Sequence, residues 1–172
     1  ATPATHLSLV AVQLRRLLAR PVLPDLRALL IGGGPIPPDL ITAALQRGLP
    51  VHTTYGMTEL GSQVTTTPPG ATAAQLRTAG RVLEGREVAI APSGEILIRG
   101  RTLLSGYLTE DGLQPGVDAA GWYHTGDVGR LEDGWLIPTG RLDQMFISGG
   151  ENIHPETIER ALGGLVAAAA VV

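Results

Sequence analysis

Three short clusters hold residues able to do chemistry. The first is Thr53-Thr54-Tyr55-Gly56-Met57-Thr58-Glu59. Its glycine lets a ligand approach the backbone, its threonines can donate to phosphate oxygen, and its glutamate offers Mg²⁺ a hard oxygen. The second is Gly121-Trp122-Tyr123-His124-Thr125-Gly126-Asp127. A carboxylate such as Asp127 can accept both hydroxyls of a ribose. The third is Gly140-Arg141-Leu142-Asp143, followed by Ile147-Ser148-Gly149-Gly150-Glu151-Asn152-Ile153. An arginine near such a carboxylate can bridge ribose and phosphate. Each cluster alone has a plainer reading. The first could be a polar strand-to-loop transition, and the others turns with a surface ion pair. The order and spacing of all three together are more specific.

Elements must position these residues. Thr5 is placed to cap a helix from about His6 to Ala19, with Leu7, Val10, Leu14, Leu17 and Leu18 on one face. The stretch Pro21 to Pro24 breaks it. Leu26 to Ile31 reads as a buried strand ending in Gly32-Gly33-Gly34. Pro37 and Pro38 open a second helix through about Gln46, which Gly48 stops. Val51 to Thr54 is the next strand. Strand, helix, strand implies a parallel unit whose ligands sit beyond the carboxyl ends of the strands. Those ends are Gly32 to Pro35 and Tyr55 to Gly61. After residue 66, Thr67-Pro68-Pro69-Gly70 reads as a linker. Short strands follow at Glu87–Ala91, Glu95–Arg99, Asp127–Leu131 and Gly134–Pro138, spaced as in a small antiparallel sheet or barrel. Glu132-Asp133-Gly134 reads as a hairpin turn. Pro155 to Leu162 starts a further helix, followed by the apolar run Leu165 to Val172.

Composition narrows the chemistry. The chain of 172 residues is 44% apolar and 17% charged, which suits a folded chain. A net charge of −3 offers no footprint for nucleic acid. Cysteine is absent, which excludes disulfides and a thiol nucleophile. All 13 basic residues are arginine, so a Schiff base or a phosphate-loop lysine has no bearer within these residues. The longest apolar run is too short to cross a bilayer, so no membrane insertion is expected and a cytoplasmic setting is. The four histidines are scattered too widely for a metal site by spacing. Trp122 and Trp135 read as packing residues.

In order, the segments Tyr55-Gly56-Met57-Thr58-Glu59, Gly94-Glu95-Ile96-Leu97-Ile98-Arg99-Gly100, Ser105-Gly106-Tyr107-Leu108, Trp122-Tyr123-His124-Thr125-Gly126-Asp127, Gly140-Arg141-Leu142-Asp143 and Gly149-Gly150-Glu151-Asn152-Ile153 resemble the adenylate-forming superfamily. That superfamily holds acyl-CoA synthetases, luciferases and peptide-synthetase adenylation domains. Thr5 to Leu18, Gly85-Arg86-Glu87-Val88 and Gly140 to Glu151 are most similar to its o-succinylbenzoate–CoA ligase branch, of menaquinone biosynthesis. Val10-Ala11 departs from the Val-Pro expected there.

The resemblance implies an α/β fold with a small β subdomain, a partial adenylate-forming fold truncated at both ends. Residues 1–66 would be part of the large nucleotide-binding subdomain, 67–142 the small β subdomain, and 143–172 the hinge and the start of a C-terminal α+β domain. It implies ATP, Mg²⁺ and CoA, with o-succinylbenzoate as the carboxylate substrate. Gly32, Gly33, Gly34, Pro35, Tyr55, Gly56 and Met57 would line the nucleotide. Thr58 would touch the α-phosphate and Glu59 would hold Mg²⁺. Asp127 would bind the ribose diol, and Arg141 the ribose and phosphate. Thr58, Glu59 and Arg141 would carry the catalytic roles. Asp143 would mark the hinge, and Gly149 and Gly150 a loop at the CoA channel.

The superfamily's phosphate-loop and C-terminal catalytic lysines have no counterpart in these residues. Together with the abrupt end in an apolar run, this reads as an internal fragment, inactive by itself, of an active parent. Open sheet edges would favour self-association, a homodimer being one form of it. Medium- or long-chain fatty acyl-CoA ligation is the alternative activity. A fragment that binds nucleotide without chemistry is the other alternative.

Overall fold

A computed structural model describes residues 4–20, 25–144, 146–148, 151–153 and 155–162. The strands are β1 (His6–Leu9), β2 (Ala28–Ile31), β3 (Val51–Met57), β4 (Ser62–Thr66), β5 (Arg81–Val82), β6 (Arg86–Ile90) and β7 (Glu95–Gly100). They continue with β8 (Tyr107–Thr109), β9 (Gly112–Gln114), β10 (Tyr123–Glu132), β11 (Trp135–Arg141), β12 (Phe146–Ser148) and β13 (Glu151–Ile153). The helices are α1 (Ala11–Leu18), α2 (Pro38–Gln46) and α3 (Pro155–Leu162). Nine strands form one sheet in the order β1-β2-β3-β4-β5-β11-β10-β7-β6. The pairs β1–β2 and β2–β3 are parallel, and every other pair in the sheet is antiparallel. No described helix is long and apolar enough to cross a membrane.

The parallel unit built on β2, α2 and β3 is present. The expected helix over His6–Ala19 is not. His6 to Leu9 form a strand that runs beside β2, with His6 facing Ala28 and Leu9 facing Ile31. Leu7 and Leu9 alternate with exposed His6 and Ser8, which is a period of two. The helix begins only at Ala11, where the Gln13 side chain accepts the Val10 backbone N–H at 3.0 Å. Thr5 therefore caps nothing, and its hydroxyl lies 2.9 Å from His6 Nδ1. Val10 is half exposed, and Leu14 is the fully buried anchor of α1.

Two apolar clusters hold the sheet. One packs α1 and α2 on the parallel strands through Leu14, Leu29, Ile31, Leu40, Ile41 and Val51. The other joins Leu60, Val64, Ile96, Ile98 and Leu136 under the antiparallel strands. Two glycines carry positions that a side chain could not. A Cβ on Gly56 would lie 2.2 Å from the Ser62 carbonyl oxygen, at the bulge where β3 turns against β4. Gly134 follows Asp133 in the β10–β11 turn, both with positive φ (80° and 49°), as the expected hairpin requires. The run Leu165 to Val172, with Gly149 and Gly150, lies outside the described residues.

Candidate functional site

The carboxyl ends of β2 and β3 lie side by side, because Ile31 pairs with Thr53. Gly32 packs so closely on β3 that a Cβ would come within 2.7 Å of Thr54 Cγ2. Gly33, Gly34 and Pro35 continue the loop at the surface. Gly33 has φ +77°, which favours glycine. Beyond β3, Thr58 to Leu60 form one 3₁₀ turn, with Thr58 exposed and Glu59 half-buried.

Tyr55, Asp127, Arg141 and Asp143 form a continuous chain. The Tyr55 hydroxyl donates to Asp127 Oδ2 at 2.6 Å. Arg141 Nη1 donates to Asp127 Oδ1 at 3.2 Å. The other side of the guanidinium forks onto Asp143, Nε to Oδ1 at 3.1 Å and Nη2 to Oδ2 at 3.2 Å. Burial, then the Asp127 bond, pushes the Tyr55 phenol far above its usual range, so it remains a donor. The Asp143 hydrogen bond holds Arg141 above its ordinary value, and Arg141 in turn holds the Asp143 carboxyl low. A carboxylate has about four lone-pair sites, and the protein occupies two on Asp127. Two remain, one on each oxygen, which suits a vicinal diol.

Strand pairing explains why residues 14 positions apart in the chain meet. β10 and β11 form one hairpin in which Asp127 faces Arg141. β10 is also interrupted beside β7. His124 pairs with Leu97 and Val128 with Glu95, so Thr125, Gly126 and Asp127 lie opposite Ile96 alone. This bulge takes Asp127 out of the ladder with β7 while leaving it paired with Arg141 of β11. Gly126 has φ +70°, and a Cβ there would sit 3.1 Å from Arg141 Nη2. The Thr125 hydroxyl donates to the Ile96 carbonyl at 2.7 Å and accepts the Asp127 N–H at 3.0 Å.

A second group surrounds Glu59. The Tyr107 hydroxyl donates to Glu59 Oε1 at 3.4 Å and lies 3.0 Å from the Tyr123 hydroxyl. Leu104 N–H bonds the Glu59 carbonyl at 2.8 Å, which ties the segment after β7 to the 3₁₀ turn. Burial, the Tyr107 bond and the charge of Glu59 raise the Tyr123 phenol. No group of three or more His, Cys, Asp or Glu able to hold a metal occurs among the described residues. A single carboxylate fits Mg²⁺ shared with substrate phosphates, which is the usual way this ion is held.

The structure therefore joins Tyr55, Asp127, Arg141 and Asp143 directly, and joins Gly32 to them through β3. Thr58 and Glu59 follow Tyr55 on the same strand end. Thr53 and Thr54 serve the fold instead. Their hydroxyls donate to the carbonyls of Thr78 at 2.7 Å and Thr65 at 2.8 Å. Sequence reasoning missed Tyr107, Tyr123 and Glu95, although all three stand in segments that resemble the superfamily. Glu95 is 8% exposed and accepts the Gly126 N–H at 2.9 Å. Its signal was a carboxylate heading the apolar run Ile96-Leu97-Ile98, since a buried carboxylate needs partners.

Residues 1–108 match the model of the AMP-binding enzyme family. The chain is 39% identical over 145 residues to 2-succinylbenzoate--CoA ligase of Listeria monocytogenes, covering 84% of this chain and 31% of that protein. It is 37% identical to the enzyme of the same name from Geobacillus kaustophilus, over 92% of this chain and 35% of that one. Among solved structures, o-succinylbenzoate CoA synthetase from Bacillus subtilis, in complex with the acyl-adenylate intermediate OSB-AMP, superposes with a TM-score of 0.87 at 34% identity. That match covers 97% of this chain and 37% of that one. The same synthetase with ATP and magnesium ion gives 0.85. Amide bond synthetase McbA from Marinactinospora thermotolerans gives 0.83 at 32% identity, covering 98% of this chain and 39% of that one. The chain thus spans about a third of the length of its curated relatives. With a family model matched over 108 of its 172 residues, it belongs to the AMP-binding enzymes and has part of the adenylate-forming fold.

Proposed function

We propose that this chain is the nucleotide-holding middle of an ATP-dependent carboxylate–CoA ligase acting on o-succinylbenzoate. One observation carries the reading. Tyr55, toward the carboxyl end of β3 where ligands of such sheets bind, and Arg141 fix Asp127 with two lone pairs left over. The substrate class rests on the relatives named 2-succinylbenzoate--CoA ligase.

In this reading the substrate carboxylate attacks the α-phosphate of ATP. Pyrophosphate leaves, and an acyl-adenylate remains. The thiol of CoA then attacks the acyl carbon, the thioester forms and AMP leaves. Gly32, Gly33, Gly34 and Pro35, with Tyr55, Gly56 and Met57, line the nucleotide. Asp127 accepts the ribose hydroxyls. Arg141 turns a donor toward ribose and phosphate, and Thr58 donates to the α-phosphate. Mg²⁺, held by Glu59 with the ATP phosphates, neutralises phosphate charge when bound. Residues 1–66 belong to the large subdomain and 67–142 to the small β subdomain. Asp143 stands at the hinge into the segment 143–172. In this reading the reaction runs in the cytoplasm, where ATP and CoA are at hand. The 172 residues alone, which contain no lysine, catalyse neither half-reaction. A second reading replaces the thiol with an amine, and rests on the likeness to the amide bond synthetase.

The test measures Kd for ATP and for 2′,3′-dideoxy-ATP on the full-length protein that contains this chain, native and Asp127→Ala. Charge-assisted bonds contribute about 1.5–3 kcal/mol each. The native protein should therefore prefer ATP by about 10- to 100-fold or more, and Asp127→Ala should abolish the preference. An undiminished preference in Asp127→Ala overturns the site.

A further inference from the structure

Glu95 stands outside every role assigned above, yet it is the only buried charged residue among the described residues. It is 8% exposed and heads β7, at the level where the β10 ladder is broken. Both of its oxygens are engaged. Oε1 accepts the Gly126 backbone N–H at 2.9 Å. Oε2 lies 2.9 Å from His124 Nδ1, whose ring faces Asp118 on its other side, Nε2 to Oδ2 at 3.4 Å.

A bulge leaves backbone groups without ladder partners, and a buried N–H without a partner is costly. Glu95 supplies the missing acceptor. Gly126 sits between Thr125, whose hydroxyl is pinned to Ile96, and Asp127, whose carboxylate faces the site. The Gly126 carbonyl accepts the Leu142 N–H at 2.7 Å, which fastens the same residue to the one after Arg141. One carboxylate thus sets the backbone from which both Asp127 and Arg141 are aimed.

We propose that Glu95 is a positioning residue for nucleotide recognition, acting through the Gly126 N–H to hold the Asp127 carboxylate at the ribose. This rests on the assignment of the ribose to Asp127. Glu95 touches no substrate. Its loss lets the bulge close toward the regular ladder and draws Asp127 inward.

The experiment uses the full-length protein and reads the ratio of Kd for 2′,3′-dideoxy-ATP to Kd for ATP. A residue that only stabilised the fold would weaken both nucleotides alike. Glu95→Ala should cut the ratio about tenfold or more. Glu95→Gln keeps an amide oxygen for the Gly126 N–H and should retain most of the ratio. Glu95→Asp places its carboxylate one methylene short of Gly126 and should behave like Glu95→Ala. It carries the test if the alanine variant does not fold. Glu95→Ala or Glu95→Asp with the native ratio, beside Asp127→Ala with a lost one, overturns the role of Glu95 and leaves the ribose assignment standing. So does an equal loss for both nucleotides, and so does a glutamine variant as impaired as alanine. A native ratio in Asp127→Ala overturns the ribose assignment and this inference together.

Discussion

Gly126→Ala separates two functions of one position. Gly126 has φ +70°, and a Cβ there would lie 3.1 Å from Arg141 Nη2 and 3.4 Å from Arg141 Cζ. The backbone cost of a left-handed alanine is about 1–2 kcal/mol and cannot be relieved locally. The steric conflict can be relieved, because its partner is the end of a flexible side chain. Relief moves the guanidinium away from Asp127, a pair of roughly 0.5–1 kcal/mol given that Arg141 is 42% exposed. Stability of the full-length protein should fall by about 1.5–3 kcal/mol in all. The displaced guanidinium should also cost nucleotide binding one charge-assisted bond, so Kd for ATP should rise about 10- to 100-fold. Urea unfolding and calorimetric titration with ATP measure the two effects independently. A variant that loses stability but binds ATP like the native protein refutes the placement of Arg141 at the nucleotide.

Gly56→Ala should destabilise the protein even without nucleotide. Its Cβ would meet backbone, the Ser62 oxygen at 2.2 Å and Gln63 Cα at 2.8 Å. Overpacking of this kind costs about 1–3 kcal/mol or more, and an unchanged Tm would contradict it. The bond to Glu95 raises the His124 pKa, and the bond to Asp118 adds to it, so the folded state binds the proton more tightly than the unfolded one. The stabilisation from His124 is full below the unfolded histidine pKa of about 6.5 and fades as pH rises through the higher folded value. The stability difference between native protein and His124→Gln, followed by denaturant titration, should shrink on going alkaline; growth with pH would reverse the assignment. Asp143→Pro removes the fork onto Arg141 and fixes φ near −65°. Adenylation and thioester formation should then respond unequally, and equal losses would argue against a hinge at Asp143.

The legible parts of this fold are those where local chemistry and pairing agree. Pro38, the apolar spacing after it and Gly48 bracket α2, and the observed helix is Pro38–Gln46. Asp133-Gly134 marks the β10–β11 turn. With the turn known, antiparallel pairing alone brings Asp127 near Arg141, and a one-residue shift between Val128 and Gly129 sets the final register. His6 to Leu9 misled because Leu7, Val10 and Leu14 also fit helical spacing. The strand wins there because a parallel partner, β2, satisfies its backbone. Thr53 and Thr54 read as phosphate donors because hydroxyls beside glycine have that chemistry. Nothing local says that the carbonyls of Thr78 and Thr65 take their hydroxyls first. The Glu95–Gly126 bond joins residues 31 positions apart through a bulge, and a bulge has no sequence period to reveal it.

The most direct measurement of the central claim supplies the full-length protein with ATP, Mg²⁺, o-succinylbenzoate and CoA, and follows AMP, pyrophosphate and the acyl thioester together. One AMP and one pyrophosphate per o-succinylbenzoyl thioester, dependent on both ATP and CoA and lost in Asp127→Ala, is the predicted result. Faster turnover of straight-chain fatty acids, an amide in place of the thioester, or turnover unimpaired in Asp127→Ala would contradict it.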